Sequence, residues 1–141
     1  MNNTPFPILY AEDDEEDRFL FLEGVREANE NVSVVTVENG TEVLDYLLQI
    51  SEPHQLPSAI VSDLHMPLCD GWDVLRMIKQ HPEWRQIPVV IFSTSSSRAE
   101  ITAAQHMGAD AFFSKPGTYQ EVIAIVQKII GICKQFRPYQ T

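Results

Sequence analysis

The sequence predicts a doubly wound α/β domain: a five-stranded parallel sheet with five helices in strict βα alternation. Three observations carry this. Short apolar or β-branched runs recur along the chain, longer amphipathic segments separate them, and Gly, Pro or Asn marks the breaks. Parallel strands need crossover helices, so alternation at these lengths places helices on both faces of one sheet.

Pro7 to Ala11 reads as a buried strand, and Asp14 to Asn29 as a helix with Phe21, Leu22, Val25 and Ala28 on one face. Val32 to Val37 is β-branched and strand-like. Asn39-Gly40 marks a turn before a second helix, Thr41 to Ile50, that carries Val43, Leu44, Leu47 and Leu48. A loop with Pro53 and Pro57 leads to the strand Ala59 to Ser62, which ends at Asp63. After Met66-Pro67, Asp70 caps a helix with Val74, Leu75 and Ile78 that stops near His81-Pro82. Pro88 to Phe92 is a fourth strand, and Arg98 to Met107 a helix closed by Gly108 in the left-handed conformation. Ala111 to Ser114 and Tyr119 to Cys133 complete the set.

The 141 residues suffice for one domain, read as 1–141 with its core at about 7–135. With 44% hydrophobic and 21% charged residues, the composition is that of a globular protein. Apolar runs fall short of the roughly 20 residues of a membrane span, and no basic segment opens a signal peptide. Cys69 and Cys133 lie far apart without CxxC spacing, so neither a disulfide framework nor a zinc site is expected, and a cytoplasmic location follows. A net charge of −10 argues against direct nucleic-acid binding and suits a divalent cation only weakly.

In sheets of this kind the functional site lies beyond the carboxyl ends of the strands. There the sequence places Glu12 and Asp13, then Asp63, then Ser93 and Thr94, and finally Lys115-Pro116. Close carboxylates repel unless a cation neutralises them, and oxygen-only donors suit Mg²⁺. Lys115 and the Ser93 hydroxyl can each meet a phosphoryl oxygen. This set suits phosphoryl transfer to an aspartate, where positioning and charge neutralisation supply most of the catalysis.

The motifs ILYAEDD, VSDLHMPLCDGW, PVVIFSTS and GADAFFSKP, in this order and each at a strand end, resemble the receiver domain of two-component response regulators over about residues 7 to 135. The resemblance implies a flavodoxin-like fold and a phosphoprotein switch rather than an enzyme, one that promotes only its own aspartyl phosphorylation and slow autodephosphorylation. It implies Asp63 as phosphoacceptor and Mg²⁺ held by Glu12, Asp13, Asp63 and the His65 main-chain carbonyl. Lys115 becomes the family's lysine, Ser93 the switch hydroxyl and Phe112 the aromatic switch residue. Pro67 and Gly71 match the turn after the acceptor, and Pro116 a proline whose preceding peptide bond is usually cis. His65 and Ser95 fall where side chains flank the attacking water. Ser93 departs from the commoner threonine, Phe112 lacks a tyrosine hydroxyl, and Gly117 replaces an apolar residue. The long loop from Ser51 to Ser58 resembles stand-alone regulators, some of which serve phytochrome-type kinases.

The implied donor is a sensor histidine kinase or histidine phosphotransfer protein, with output to a downstream protein, onward in a phosphorelay, or through a homodimer. An aspartyl-phosphate phosphohydrolase is the competing enzyme class. It needs a carboxylate just beyond the nucleophile and usually a cap domain, whereas His65 stands there. An inactive docking module is a third reading, disfavoured because every expected group is present. The acids Asp14 to Asp17 read as stabilising a helix N-terminus. Trp72 and Trp84 read as packing residues, and Ile123 with Ile130 as core or a partner surface.

Overall fold

The computed structural model describes residues 5–28, 30–95 and 97–135. The strands are β1 (Phe6–Ala11), β2 (Val32–Val37), β3 (Ala59–Ser62), β4 (Val89–Ser93) and β5 (Ala111–Ser114). The helices are α1 (Glu15–Ala28), α2 (Gly40–Leu48), α3 (Gly71–Gln80), α4 (Arg98–His106) and α5 (Tyr119–Gln135). All strand pairs are parallel, in the order β2-β1-β3-β4-β5. This is the doubly wound, flavodoxin-like arrangement expected from the alternation. Ala11 pairs with both Val37 and Ser62, and Ser93 with Ser114, so the strand ends form one edge.

Successive side chains along each strand point to opposite faces, giving two cores. Leu9, Ile60 and Ile91 pack with Val43 and Leu47 of α2, Val74, Leu75 and Ile78 of α3, and Ala104 of α4. Tyr10, Val61 and Phe92 pack on the other face with Phe21 of α1 and Val122, Val126 and Ile129 of α5. Central strands are buried on both faces and therefore read as continuous apolar runs. β2 lies at the sheet edge and alternates, with Ser33 and Val35 exposed.

Element bounds shift slightly. β1 begins one residue earlier, β4 runs from Val89 to Ser93, and α5 continues to Gln135. The Asn39 side chain accepts from Glu42 N–H at 2.9 Å, so Asn39 caps α2 and Gly40 falls inside the helix. Asp14 accepts from Asp17 N–H at 2.9 Å and starts α1 in the same way, one residue after the expected start. Asn29, the expected end of that helix, lies outside the described residues. A 3₁₀ turn, Pro53–Gln55, occupies the loop read as irregular.

Some face assignments change. Leu22 and Leu48 are exposed, because the inward stripes run through Phe21 and Gly24 on α1 and through Val43 and Leu47 on α2. At Gly24 a Cβ would lie 2.7 Å from the Val126 Cβ, so the missing side chain is what lets α1 approach α5. Ile130 is buried in the core and cannot share an exposed patch with half-buried Ile123. Trp84 is buried and stacks on His81 with ring centroids 3.7 Å apart, in keeping with a packing role. Every peptide bond is trans among the described residues, so the bond before Pro116 is not cis; even an X–Pro bond favours trans by about 0.5–1 kcal/mol.

Candidate functional site

The site is assembled at the carboxyl edge of β1, β3, β4 and β5. Glu12 continues β1, its N–H donating to Val37 O at 3.0 Å, and its carboxylate accepts from Asp14 N–H at 3.1 Å. The Arg18 guanidinium donates to Glu12 O at 2.8 Å and ties α1 back to the strand end. Asp63 continues β3 by donating its N–H to Ala11 O at 3.1 Å. Its Oδ1 accepts from Leu64 N–H at 2.7 Å and His65 N–H at 3.4 Å, which fixes the carboxylate plane.

The turn after Asp63 is closed by Gly71 N–H donating to Leu64 O at 2.9 Å. Asp70 and Asp73 form a reciprocal capping box at the start of α3. Leu68, 85% exposed, holds a φ of 67°, a left-handed conformation unfavourable for leucine.

Lys115 joins these parts. Its main-chain N–H donates to Ser93 O at 2.7 Å, continuing the pairing of β4 and β5. Its ammonium donates to Glu12 Oε1, to Asp17 Oδ2 at 2.9 Å and to Asp63 Oδ2 at 3.2 Å, and sits 5.9 Å from the Phe92 ring centroid. Burial works against the lysine charge, but these carboxylates outweigh it and raise the lysine pKa. Burial pushes the Glu12 carboxyl up to about 7, with Lys115 opposing and the Asp63 charge adding. The ammonium therefore stays charged.

Carboxylate oxygens of Glu12, Asp13 and Asp63 lie within 4.8 Å of one another. Three carboxylates, those of Glu12, Asp17 and Asp63, meet the ammonium of Lys115, and Asp13 adds a fourth to the cluster. A hard-oxygen cluster short of positive charge fits a Mg²⁺ ion by donor chemistry.

The other predicted residues fall around this cluster. Ser93 ends β4 with its hydroxyl buried, accepting from Ser95 N–H at 3.4 Å; Thr94 is exposed and Ser95 half-buried. Phe112 is half-buried, pairs in register with Ile91 and packs on the face shared with α4. The His65 side chain is 57% exposed and turns to α4, its Nε2 lying 3.6 Å from Glu100 Oε2. Pro116 and Gly117 border a cleft of about 480 Å³ beside Lys115, lined also by Asp17, Leu20, Phe92 and Tyr119. The cluster also contains Asp17, which sequence reading placed among acids serving only the helix terminus. A signal was present: Asp17 lies four residues before Phe21 and seven before Gly24, on the buried stripe of α1.

The family model for the response regulator receiver domain matches residues 8–127. This chain belongs to the response-regulator receiver family. Receivers are signalling modules of two-component systems, not enzymes that turn over an external substrate. Response regulator Rcp1 of Synechocystis is 28% identical over 130 residues, spanning 91% of this chain and 88% of that protein. The structure of Mn²⁺-bound Rcp1 matches this receiver with a TM-score of 0.84 at 26% identity, covering 97% of this chain and 100% of the other. That of the phosphorylated cyanobacterial phytochrome response regulator RcpA gives 0.85 at 29%, covering 97% and 99%. No helix among the described residues is long and apolar enough to cross a membrane.

Proposed function

We propose that this receiver, read as one domain over 1–141 with its core at about 7–135, accepts a phosphoryl group on Asp63. The observation that carries the reading is the meeting of Glu12, Asp13 and Asp63 with the buried ammonium of Lys115 at one strand edge. A carboxylate oxygen of Asp63 attacks the phosphorus of a phosphohistidine. The phosphorus–nitrogen bond breaks, and the donor's imidazole leaves with the electron pair. The Leu64 and His65 N–H groups hold the acceptor carboxylate in place, and Lys115 turns toward a phosphoryl oxygen. Glu12, Asp13, Asp63 and the His65 carbonyl would hold Mg²⁺, which supplies charge neutralisation when bound.

The acyl phosphate draws the Ser93 hydroxyl toward it. Phe112 then repacks on the face it shares with α4, shifting the population between two packings of one fold. The donor is a sensor histidine kinase or histidine phosphotransfer protein in the cytoplasm. The similarity to RcpA favours a phytochrome-type kinase. Output passes to a protein partner, a phosphorelay or a second copy of the chain, and slow autodephosphorylation resets the switch. A hydrolase reading gains nothing, since the residue two beyond Asp63 is His65 rather than the carboxylate such an enzyme needs.

The test is incubation with acetyl phosphate, followed by intact-mass measurement. One phosphate is expected with Mg²⁺, and none without the metal or in Asp63→Asn. Undiminished labelling of Asp63→Asn refutes the assignment.

A further inference from the structure

We propose that Asp17 is a positioning residue for Lys115, holding its ammonium in place while one of the lysine's hydrogen bonds passes from Asp63 to the phosphoryl group. The inference rests on the phosphoacceptor reading above. A lysine ammonium has three donors, and here Glu12, Asp17 and Asp63 take one each. The contact to Asp63 is the longest, at 3.2 Å, against 2.9 Å to Asp17. It is also the contact that phosphorylation must change, because the acceptor carboxylate becomes an acyl phosphate, a mixed anhydride without the carboxylate charge. Phosphorylation modifies neither Glu12 nor Asp17, so the two of them hold the ammonium where its third donor meets either group.

Asp17 is suited to this task and to little else. It stands outside the trio that can hold a metal, and among the described residues it pairs with no other cation. Its place in the first turn of α1 is set by the Asp14 cap, and the buried stripe through Phe21 and Gly24 points it at the site. A further carboxylate beside Glu12 and Asp63 adds repulsion to a cluster already short of positive charge. Lysine's four-carbon stem is flexible, and a second anchor confines it. Asp17 also links α1 to β5 across 98 residues of sequence, so any partner that moves α1 would move the lysine.

The test compares Asp17→Asn, Asp17→Glu and Glu16→Gln with the unmodified chain. Glu16 lines the same cleft without an ion pair among the described residues, so its variant controls for lost surface charge. Initial phosphorylation rates are measured against acetyl phosphate concentration at saturating Mg²⁺, and Mg²⁺ affinity by amide chemical-shift titration. Asp17→Asn is expected to lower the rate at saturating donor about tenfold, with the half-saturating donor concentration unchanged. Mg²⁺ affinity should stay within about twofold, because Asp17 is not a ligand. Asp17→Glu should recover part of the rate and Glu16→Gln all of it. A merely structural role would lower stability in urea without this split between rate and half-saturation. An Asp17→Asn rate equal to the unmodified chain's, with Asp63→Asn unlabelled, overturns the role of Asp17 and leaves the acceptor standing. Labelling of Asp63→Asn instead removes the acceptor reading itself.

Discussion

Replacing Gly71 by alanine should damage both the fold and the acceptor. Gly71 opens α3 with its Cα against the turn after β3. A Cβ built there would lie 2.6 Å from Leu64 Cα and 2.9 Å from the Asp63 carbonyl carbon, and closer still to the Asp63 carbonyl oxygen. Carbon atoms in contact prefer about 3.5–4.0 Å, so the shortfall is roughly 1 Å. All three obstacles are main chain, and no rotamer change relieves them. The backbone around Asp63 must move, or the Gly71 to Leu64 hydrogen bond must break. Overpacking of this kind costs about 1–3 kcal/mol and occasionally more. Alanine recovers at most about 1 kcal/mol of helix propensity. The net expectation is a loss of up to about 2 kcal/mol, and more where the backbone cannot adjust. The assay is urea unfolding followed by tryptophan fluorescence, with Gly131→Ala as control. Gly131 is exposed in α5, and its Cβ would meet nothing within 4 Å, so alanine there should stabilise by about 0.5–1 kcal/mol. If Gly71→Ala and Gly131→Ala shift the transition alike, the steric reasoning is wrong.

Other outcomes follow from the same geometry. Tyr10 is buried and stacked on Phe21, and its hydroxyl has no partner in the described protein, so Tyr10→Phe should raise stability by about 1 kcal/mol in urea. A loss there would mean that the hydroxyl is satisfied. The Glu12 carboxyl is pushed up to about 7, so on the proposal that it is a Mg²⁺ ligand, which must be deprotonated, Mg²⁺ affinity should rise with pH until Glu12 is ionised and level off above that. Calorimetric titration at pH 6, 7 and 8 checks this, and a flat profile contradicts it. On the reading that the His65 imidazole shields the acyl phosphate from the attacking water, His65→Asn should lose its phosphoryl group about tenfold faster once the donor is removed, a change of about 1.4 kcal/mol in the barrier. Glu100→Gln removes the charge 3.6 Å from the His65 Nε2 and should quicken the loss to a smaller degree. Equal lifetimes in all three proteins would leave His65 no protective part.

Legibility in the sequence tracked burial. Strands β3 and β4 are covered on both faces, so their apolar runs could be read directly, and strict alternation gave the parallel topology. Helix faces were harder. Apolar residues at helical spacing marked α1 and α2 correctly, but Leu22 and Leu48 share that spacing while facing solvent. Only contact with the sheet separates them from Phe21 and Leu47. At the site, the acids at strand ends stood out because no core needs them. Asp17 did not, since an acid in the first turn of a helix already has a sufficient local explanation. The inward turn of its carboxylate depends on α1 packing against α5 through Gly24, a tertiary matter.

The three bonds of the Lys115 ammonium close loops of 103, 98 and 52 residues. Such long-range closures belong late in folding, because the chain entropy they consume is regained only when most of the sheet exists. Before β5 docks, Glu12 and Asp63 lack the ammonium that pairs with them in the finished site, and burying an unpaired charge is costly. An intermediate built from β1 to β4 is therefore held back by its own carboxylates. The lysine that serves the finished site thus also makes the last strand a condition for the first. A chain halted on the ribosome before residue 115 should accordingly stay more open than its hydrophobic content alone would imply.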